Sequence, residues 1–358
     1  MRAVVLVGGL GTRLRPLTLT TPKQMLPVAE VTMIERVLAH LGGHGVTDVV
    51  LSMGYRPDAF LAAFPEDRCA GLPLTYAVEP SAMDTGGAIA FAARHAGIDD
   101  TFLVVNGDVL TDLDIGALVA LHRSRPASAT IALTPVSDPS AFGVVPTGAD
   151  GRVTAFIEKP PAGQAPTNLV NAGFYVVEPS VLDAIPAERR VNVETETFPA
   201  LVAGGTLYAQ PSDAYWIDTG SPALYLRANL DHLAGLRGEA PAPGARRTSD
   251  GGGWTLGGPV LDARLTGGSL VGDAAYVAKG STVSGSVVGA GARVDRATIS
   301  GSVLMPGAVV HAGATVEDSI LGPGSVVGEG AVVRGLTVVG GGVAVAPGAR
   351  LDGDVVYS

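Results

Sequence analysis

Beyond residue 254 a six-residue period rules the chain. Val271, Val277 and Val283 are six apart, as are Val288 and Val294, then Leu304, Val310 and Val316. The series Leu321, Val327, Val333, Val339, Val345, Leu351 runs unbroken, and a glycine or alanine follows most of these positions. Such a run is foreign to an ordinary domain and predicts a β-helix. Each triangular coil takes ~18 residues, with aliphatic side chains inward and small residues at the corners. About 100 residues then give roughly five coils. Steps of five, as at Val283–Val288 and Val316–Leu321, mark shifted corners or small loops. Composition fits this reading: 49 glycines, with only 5% aromatic and 16% charged residues.

The first 236 residues obey a different pattern. "RAVVLV", "DVVLSM", "LTYAVE" and "TFLVVNGDV" read as strands, and helical stretches such as "MIERVLAHL" and "TGGAIAFAARHA" lie between them. That alternation predicts an α/β domain, a Rossmann-like and mostly parallel sheet covered by helices. "RGEAPAPGARRTSDGGG" then reads as a linker. The expected division is a catalytic domain over 1–236, a linker over 237–257 and a hexapeptide-repeat β-helix over 258–358. A formal charge of −10 and a pI near 5.0 argue against nucleic acid or an anionic membrane as partner. The lone cysteine, Cys69, excludes an intrachain disulfide framework. No run of 18 apolar residues and no signal-peptide pattern occurs, so a cytoplasmic protein is expected.

Against that acidic background, the segment "VLVGGLGTRLRPLTLTTPKQMLPV" contains no carboxylate, and the first in the chain is Glu30. A Walker A loop fails here because Thr12 and Arg13, not Lys-Ser/Thr, follow Gly11. A dinucleotide fingerprint fails because Leu14 stands where its third glycine belongs. What remains is a structural turn or a cradle for polyphosphate, and the combination of Arg13, Arg15 and Lys23 favours the cradle. Glycines let backbone N–H groups approach an anion. Arg13 offers forked donors and Lys23 a mobile charge. Local charge, not net charge, is set for the ligand.

The stretch resembles the signature of the sugar nucleotidyltransferases, the nucleoside-diphosphate-sugar pyrophosphorylases. "EPSAMDTGGAI", "NGDV", "FGVV", "FIEKP", "NAGFYVVEP" and "YWIDTG" follow in family order. The resemblance covers essentially the whole chain and is strongest to the mannose-1-phosphate guanylyltransferases. Gln24, where many relatives carry proline, and the longer "SAMD" segment depart from the pattern. The resemblance implies a left-handed β-helix and transfer of a nucleotidyl group from a nucleoside triphosphate to a sugar 1-phosphate. It implies Arg13, Lys23, Asp108 and Asp218 as catalytic, with both aspartates holding Mg²⁺. Leu6, Gly8, Gly9, Gly11, Thr12, Glu79, Thr85 and Gly86 would join Arg13 and Lys23 at the nucleotide. Gly143, Glu158, Lys159, Asn171 and Gly173 would take the sugar phosphate.

A carboxylate at Glu79 selects for guanine, whose N1–H and 2-amino group are two adjacent donors. The alternative is that Glu79 caps a turn and loop backbone chooses the base. GTP and mannose 1-phosphate are therefore favoured, with thymidylyl, uridylyl or adenylyl transfer to glucose 1-phosphate left open. Two other classes remain: a silent sugar-nucleotide sensor, and a bifunctional enzyme whose β-helix transfers acyl groups through His311. The β-helix holds no catalytic cluster, and its flat faces suit it to association, so a homo-oligomer through this domain is expected.

Overall fold

The computed structural model describes all residues except 55, 188, 239 and 358. The chain forms two compact units. One comprises Met1–Gly9 and Ile34–Trp216, the other Leu10–Met33 and Ile217–Ser358.

The first unit is the α/β sheet. Its elements run β1 (Arg2–Leu6), α1 (Met33–Gly43), β2 (Asp48–Met53), β3 (Leu72–Val78), α2 (Asp84–His95) and β4 (Phe102–Asn106). Then come α3 (Ile115–Arg123), β5 (Ala129–Pro135), β6 (Leu169–Val177) and β7 (Leu207–Pro211). The spatial order of these strands is β3-β2-β1-β4-β6-β5-β7. β1 pairs in parallel with both β2 and β4, while β6 runs antiparallel to β4 and β5. The central strands are continuous apolar runs because both faces are covered. On one face α2 lays Ile89, Ala90 and Ala93 into the cluster that holds Val4, Val50 and Val104. The strand order reverses at β1, between β2 and β4. In open α/β sheets the crevice at the carboxyl ends beside such a point receives ligand. The turns after β1, β2, β3 and β4 carry Gly8, Gly54, Glu79 and Asp108.

In the second unit the hexapeptide period becomes a left-handed β-helix of three parallel sheets. Val271, Val288, Leu304, Leu321, Val339 and Val356 stack in register on the first. Val277, Val294, Val310, Val327 and Val345 stack on the second, and Leu265, Val283, Ile299, Val316, Val333 and Leu351 on the third. The five-residue steps are one corner, repeated coil after coil. Each turns on a left-handed residue: Gly285 (φ 52°), Gly301 (φ 55°) and Asp318 (φ 44°). Each also tucks a serine inside. Ser286, Ser302 and Ser319 are fully buried, and the backbone N–H of each donates to the serine hydroxyl one coil earlier, starting at Ser269.

The expected linker is partly structured. Arg246–Arg247 and Gly253–Thr255 are antiparallel strands that extend the first sheet. The Gly-rich run between them is a turn in which Asp250 accepts from Gly252 N–H and Thr248 O–H. Turn chemistry and linker chemistry use the same residues, so composition alone does not separate the two. Helix α4 (Pro222–Leu233) also belongs to this unit, as does a hairpin of Pro27–Val28 and Val31–Thr32.

Candidate active site

Leu6 pairs with Ser52 on one side and Asn106 on the other, so three strand ends are level with the glycine turn. A cavity of about 230 Å³ opens there, lined by Leu6, Gly8, Gly9, Ser52, Glu79, Met83, Asp84, Thr85 and Arg190 among others. Five of the residues expected at the nucleotide thus come together: Leu6, Gly8, Gly9, Glu79 and Thr85. Gly8 permits the narrow wall, since a Cβ would lie 3.2 Å from Gly54 N and 3.3 Å from Glu79 Oε1. The Glu79 carboxylate is pushed above its ordinary pKa by burial, against hydrogen bonds from Met83 N–H and the Ser52 hydroxyl. Its Oε2 takes the Met83 N–H at 3.1 Å. Glu79 therefore closes a turn and also walls the cavity.

Thr85 and Gly86 begin α2, and their polar groups are engaged within the protein. The Thr85 hydroxyl donates to Glu194 Oε2 at 2.7 Å and accepts from Val193 N–H. Gly86 and Gly87 N–H both donate to Val191 O. Sequence reasoning missed Ser52, Asp84, Arg190 and Glu194. Asp84 takes a left-handed backbone (φ 61°) and accepts from Thr85 N–H and the Asn192 amide. Arg190 lies 3.5 Å from its other oxygen. Glu194, on the turn Val193–Thr197, is raised in pKa chiefly by burial, with Glu158 and Asp84 adding repulsion. A buried acid inside "VNVETETFP" was the available signal.

The residues expected around the sugar phosphate are built on β6 and its neighbours. β6 shifts register between Asn171 and Tyr175, and Gly173 (φ 76°) sits inside that bulge. The bulge aims Asn171, whose amide donates to Tyr175 Oη and whose Oδ1 accepts from Gly173 N–H. A Cβ on Gly173 would meet Asn106 Nδ2 at 2.7 Å, so this glycine and the end of β4 are in contact. Gly143 is equally confined, with Phe156 Cζ at 2.7 Å and Glu158 Oε2 at 3.0 Å from its absent Cβ. Lys159 holds a left-handed backbone (φ 46°) with its side chain exposed, and its ammonium pairs with Glu158. Asp108 follows Asn106 and Gly107 after β4; Gly107 N–H donates to Leu6 O, which ties that turn to β1.

Within the second unit, Gly11 (φ 61°) precedes a short turn, Thr12–Leu14. Thr18 O–H donates to Gly11 O at 2.7 Å, and a Cβ on Gly11 would lie 3.3 Å from that of Lys23. Thr12 and Arg13 are exposed and Lys23 is half-buried. Gln24 is 1% exposed, and its Oε1 has no hydrogen-bond partner among the described residues. The Arg13 guanidinium lies over Gly220, whose Cβ it would exclude at 2.6 Å. Asp218 Oδ1 accepts from Gly220 N–H at 2.9 Å, so Arg13 and Asp218 share this glycine as neighbour.

Comparison with known proteins agrees with this architecture. Residues 2–235 match the family described as "Nucleotidyl transferase", and 265–358 match "GMPPB C-terminal domain". A mannose-1-phosphate guanylyltransferase of Mycobacterium tuberculosis is 41% identical over 301 residues, covering 82% of this chain and 81% of its own. A mannose-1-phosphate guanyltransferase of Schizosaccharomyces pombe is 37% identical over 67% of each chain. Among solved structures, HddC from Yersinia pseudotuberculosis superposes with a TM-score of 0.56 at 27% identity, over 64% of this chain and 97% of that one. On these grounds the chain belongs to the nucleotidyl transferase family, in the group whose curated members are mannose-1-phosphate guanylyltransferases.

Proposed function

We propose that this enzyme transfers the guanylyl group of GTP to mannose 1-phosphate, giving GDP-mannose and pyrophosphate. The observation that carries this reading is the carboxylate wall of the cavity after β1, in a chain 41% identical to a mannose-1-phosphate guanylyltransferase. Glu79 reads the two adjacent donors of guanine. The attacking oxygen of the sugar phosphate is already an anion, so no general base is needed, and catalysis reduces to alignment and charge stabilisation. A bond forms from that oxygen to the α-phosphorus as the bond to the bridging oxygen breaks, and the electron pair leaves on pyrophosphate. Arg13 holds the departing pyrophosphate and Lys23 offsets charge at the α-phosphate. Lys159 exchanges its Glu158 partner for the sugar phosphate, leaving Glu158 to accept from sugar hydroxyls. Asn171 and the bare Gly143 and Gly173 leave room for the ring.

Asp108 and Asp218 are the donors proposed for Mg²⁺. No group of three or more His, Cys, Asp or Glu suited to a metal occurs among the described residues. Two oxygen donors suit Mg²⁺, which is held by one or two carboxylates plus substrate phosphates. When bound, it neutralises phosphate charge. We further propose a cytoplasmic enzyme that associates through its β-helix. The test is pyrophosphate release across a matrix of nucleoside triphosphates and sugar 1-phosphates. GTP with mannose 1-phosphate should give the highest kcat/KM. Nucleotide binding with no turnover on any pair would instead favour the silent sensor.

A further inference from the structure

The first carboxylate in the chain, Glu30, closes the hairpin that follows Lys23. Val28 pairs with Val31, so Ala29 and Glu30 form its two-residue loop, with φ of 46° and 67°. Such loops need positive φ at both central positions and favour Asn-Gly. Alanine and glutamate hold that conformation only where their surroundings impose it. Several groups around this loop do so. Ala29 is fully buried, and its N–H donates to Asn229 Oδ1 at 2.8 Å. Tyr225 O–H donates to Pro27 O. Glu30 Oε2 accepts from Ala290 N–H at 2.8 Å, on a corner of the β-helix. Beneath it lies Gly272, whose Cβ would come within 2.6 Å of that oxygen. The register Val288–Leu304–Leu321 places Pro306 and Pro323 at the position of Ala290 on the next two coils. Those corners have no N–H to offer; the one that meets Glu30 does.

We infer that Glu30 is a positioning residue through which the β-helix holds the Lys23 loop in its working geometry. The β-helix then serves turnover as well as association. In catalytic terms this rests on the proposed nucleotidyl transfer; the contact itself does not. Lys23 precedes the hairpin by four residues, with Leu26 N–H bonded to Lys23 O and Met33 N–H to Leu26 O. Release of the loop tip therefore reaches the lysine, and misplacement of a catalytic group by about 1 Å can cost ~10²-fold in rate.

The experiment uses the full chain and three variants. Glu30→Ala removes the acceptor. Ala290→Pro removes the donor at a corner that already accepts proline on two coils. Glu30→Gln keeps an acceptor without the charge. Glu30→Ala and Ala290→Pro should each lower kcat by roughly ten-fold or more, with KM for both substrates nearly unchanged. Both should speed amide exchange at Leu26 and Met33 but not in β2 or β4. Glu30→Gln should stay within about two-fold of wild type, because its carbonyl still accepts the bond. Wild-type kcat and exchange in Glu30→Ala and Ala290→Pro, or a loss in Glu30→Gln as large as in Glu30→Ala, would overturn the inference. If the wild type itself makes no nucleoside diphosphate sugar, the proposed function fails, and the exchange measurement still decides whether Glu30 holds the loop.

Discussion

Replacing Glu79 with glutamine should change which base the enzyme prefers, and the structure says which way. Oε2 is fixed by the Met83 N–H, a donor, so the glutamine carbonyl must take that place. The amide NH₂ then occupies the position of Oε1, the oxygen nearest Gly8 on the cavity wall. Guanine, bound as proposed, brings N1–H and the 2-amino group to that side and would meet a donor in place of an anion. Loss of a hydrogen bond to a charged group costs about 1.5–3 kcal/mol, within the ~1–3 kcal/mol of discrimination carried by a bidentate pair. At tenfold per 1.4 kcal/mol, kcat/KM for GTP should fall roughly ten- to hundred-fold. Uracil and thymine offer carbonyl acceptors to the new NH₂ and should lose less or gain. Burial raises the Glu79 pKa, so initial rates for wild type and variant should be compared across a pH series. An unchanged base ranking in Glu79→Gln, or a wild type that prefers dTTP, UTP or ATP, would refute this reasoning.

Asp108→Asn should bind nucleotide yet lose on the order of 10²-fold in kcat, as when one preorganised charge-stabilising group is removed; near-normal turnover at saturating Mg²⁺ would place the metal elsewhere. Gly173→Ala forces a Cβ into a left-handed backbone and against the Asn106 amide. Overpacking of this kind costs about 1–3 kcal/mol, to be read from urea unfolding, and kcat should fall with it because Asn106 leads to Asp108. Glu194→Gln should flatten part of the pH dependence of stability. The folded pKa of Glu194 lies above its ordinary 4.5, so its contribution is fully present below that value and lost as pH rises through the folded pKa. The stability of wild type relative to Glu194→Gln should therefore decline over that window, and a difference that grows with pH would contradict the assigned shift.

Both architectures were legible because each leaves its period in the sequence. A β-helix repeats one backbone geometry, so its inward positions recur from Val271 to Leu351. The parallel strands read as apolar runs because both faces are covered. The five-residue corners looked like slips; only the stacked serines and the left-handed Gly285, Gly301 and Asp318 show them to be regular. Glycines at close approaches were legible where a motif framed them, as at Gly8, Gly143 and Gly173. The hairpin at Ala29 and Glu30 was not, since neither residue type announces positive φ and the conformation is imposed from 200 and 260 residues away. Glu194 was missed for a related reason: nothing local marks a glutamate as buried when its partner, Thr85, is 109 residues distant.

The signature loop also shows how a cluster of cations can be held ready before any anion arrives. Arg13 and Arg15 are exposed, and like charges in water at about 4 Å repel by ~1 kcal/mol. Interleaved with them, Leu14, Leu17, Leu26 and Val28 are 3% exposed or less. Full burial of each aliphatic side chain is worth about 1.5–3 kcal/mol, so burial outweighs self-repulsion several times over. The same segment groups with residues 217–358, and its hairpin is fastened to α4 and to a β-helix corner. A loop made only to wrap phosphate would have no use for this anchoring. Its alternation of exposed cations and buried aliphatics restricts the loop, so a triphosphate bound there, as proposed, would have little further ordering to supply.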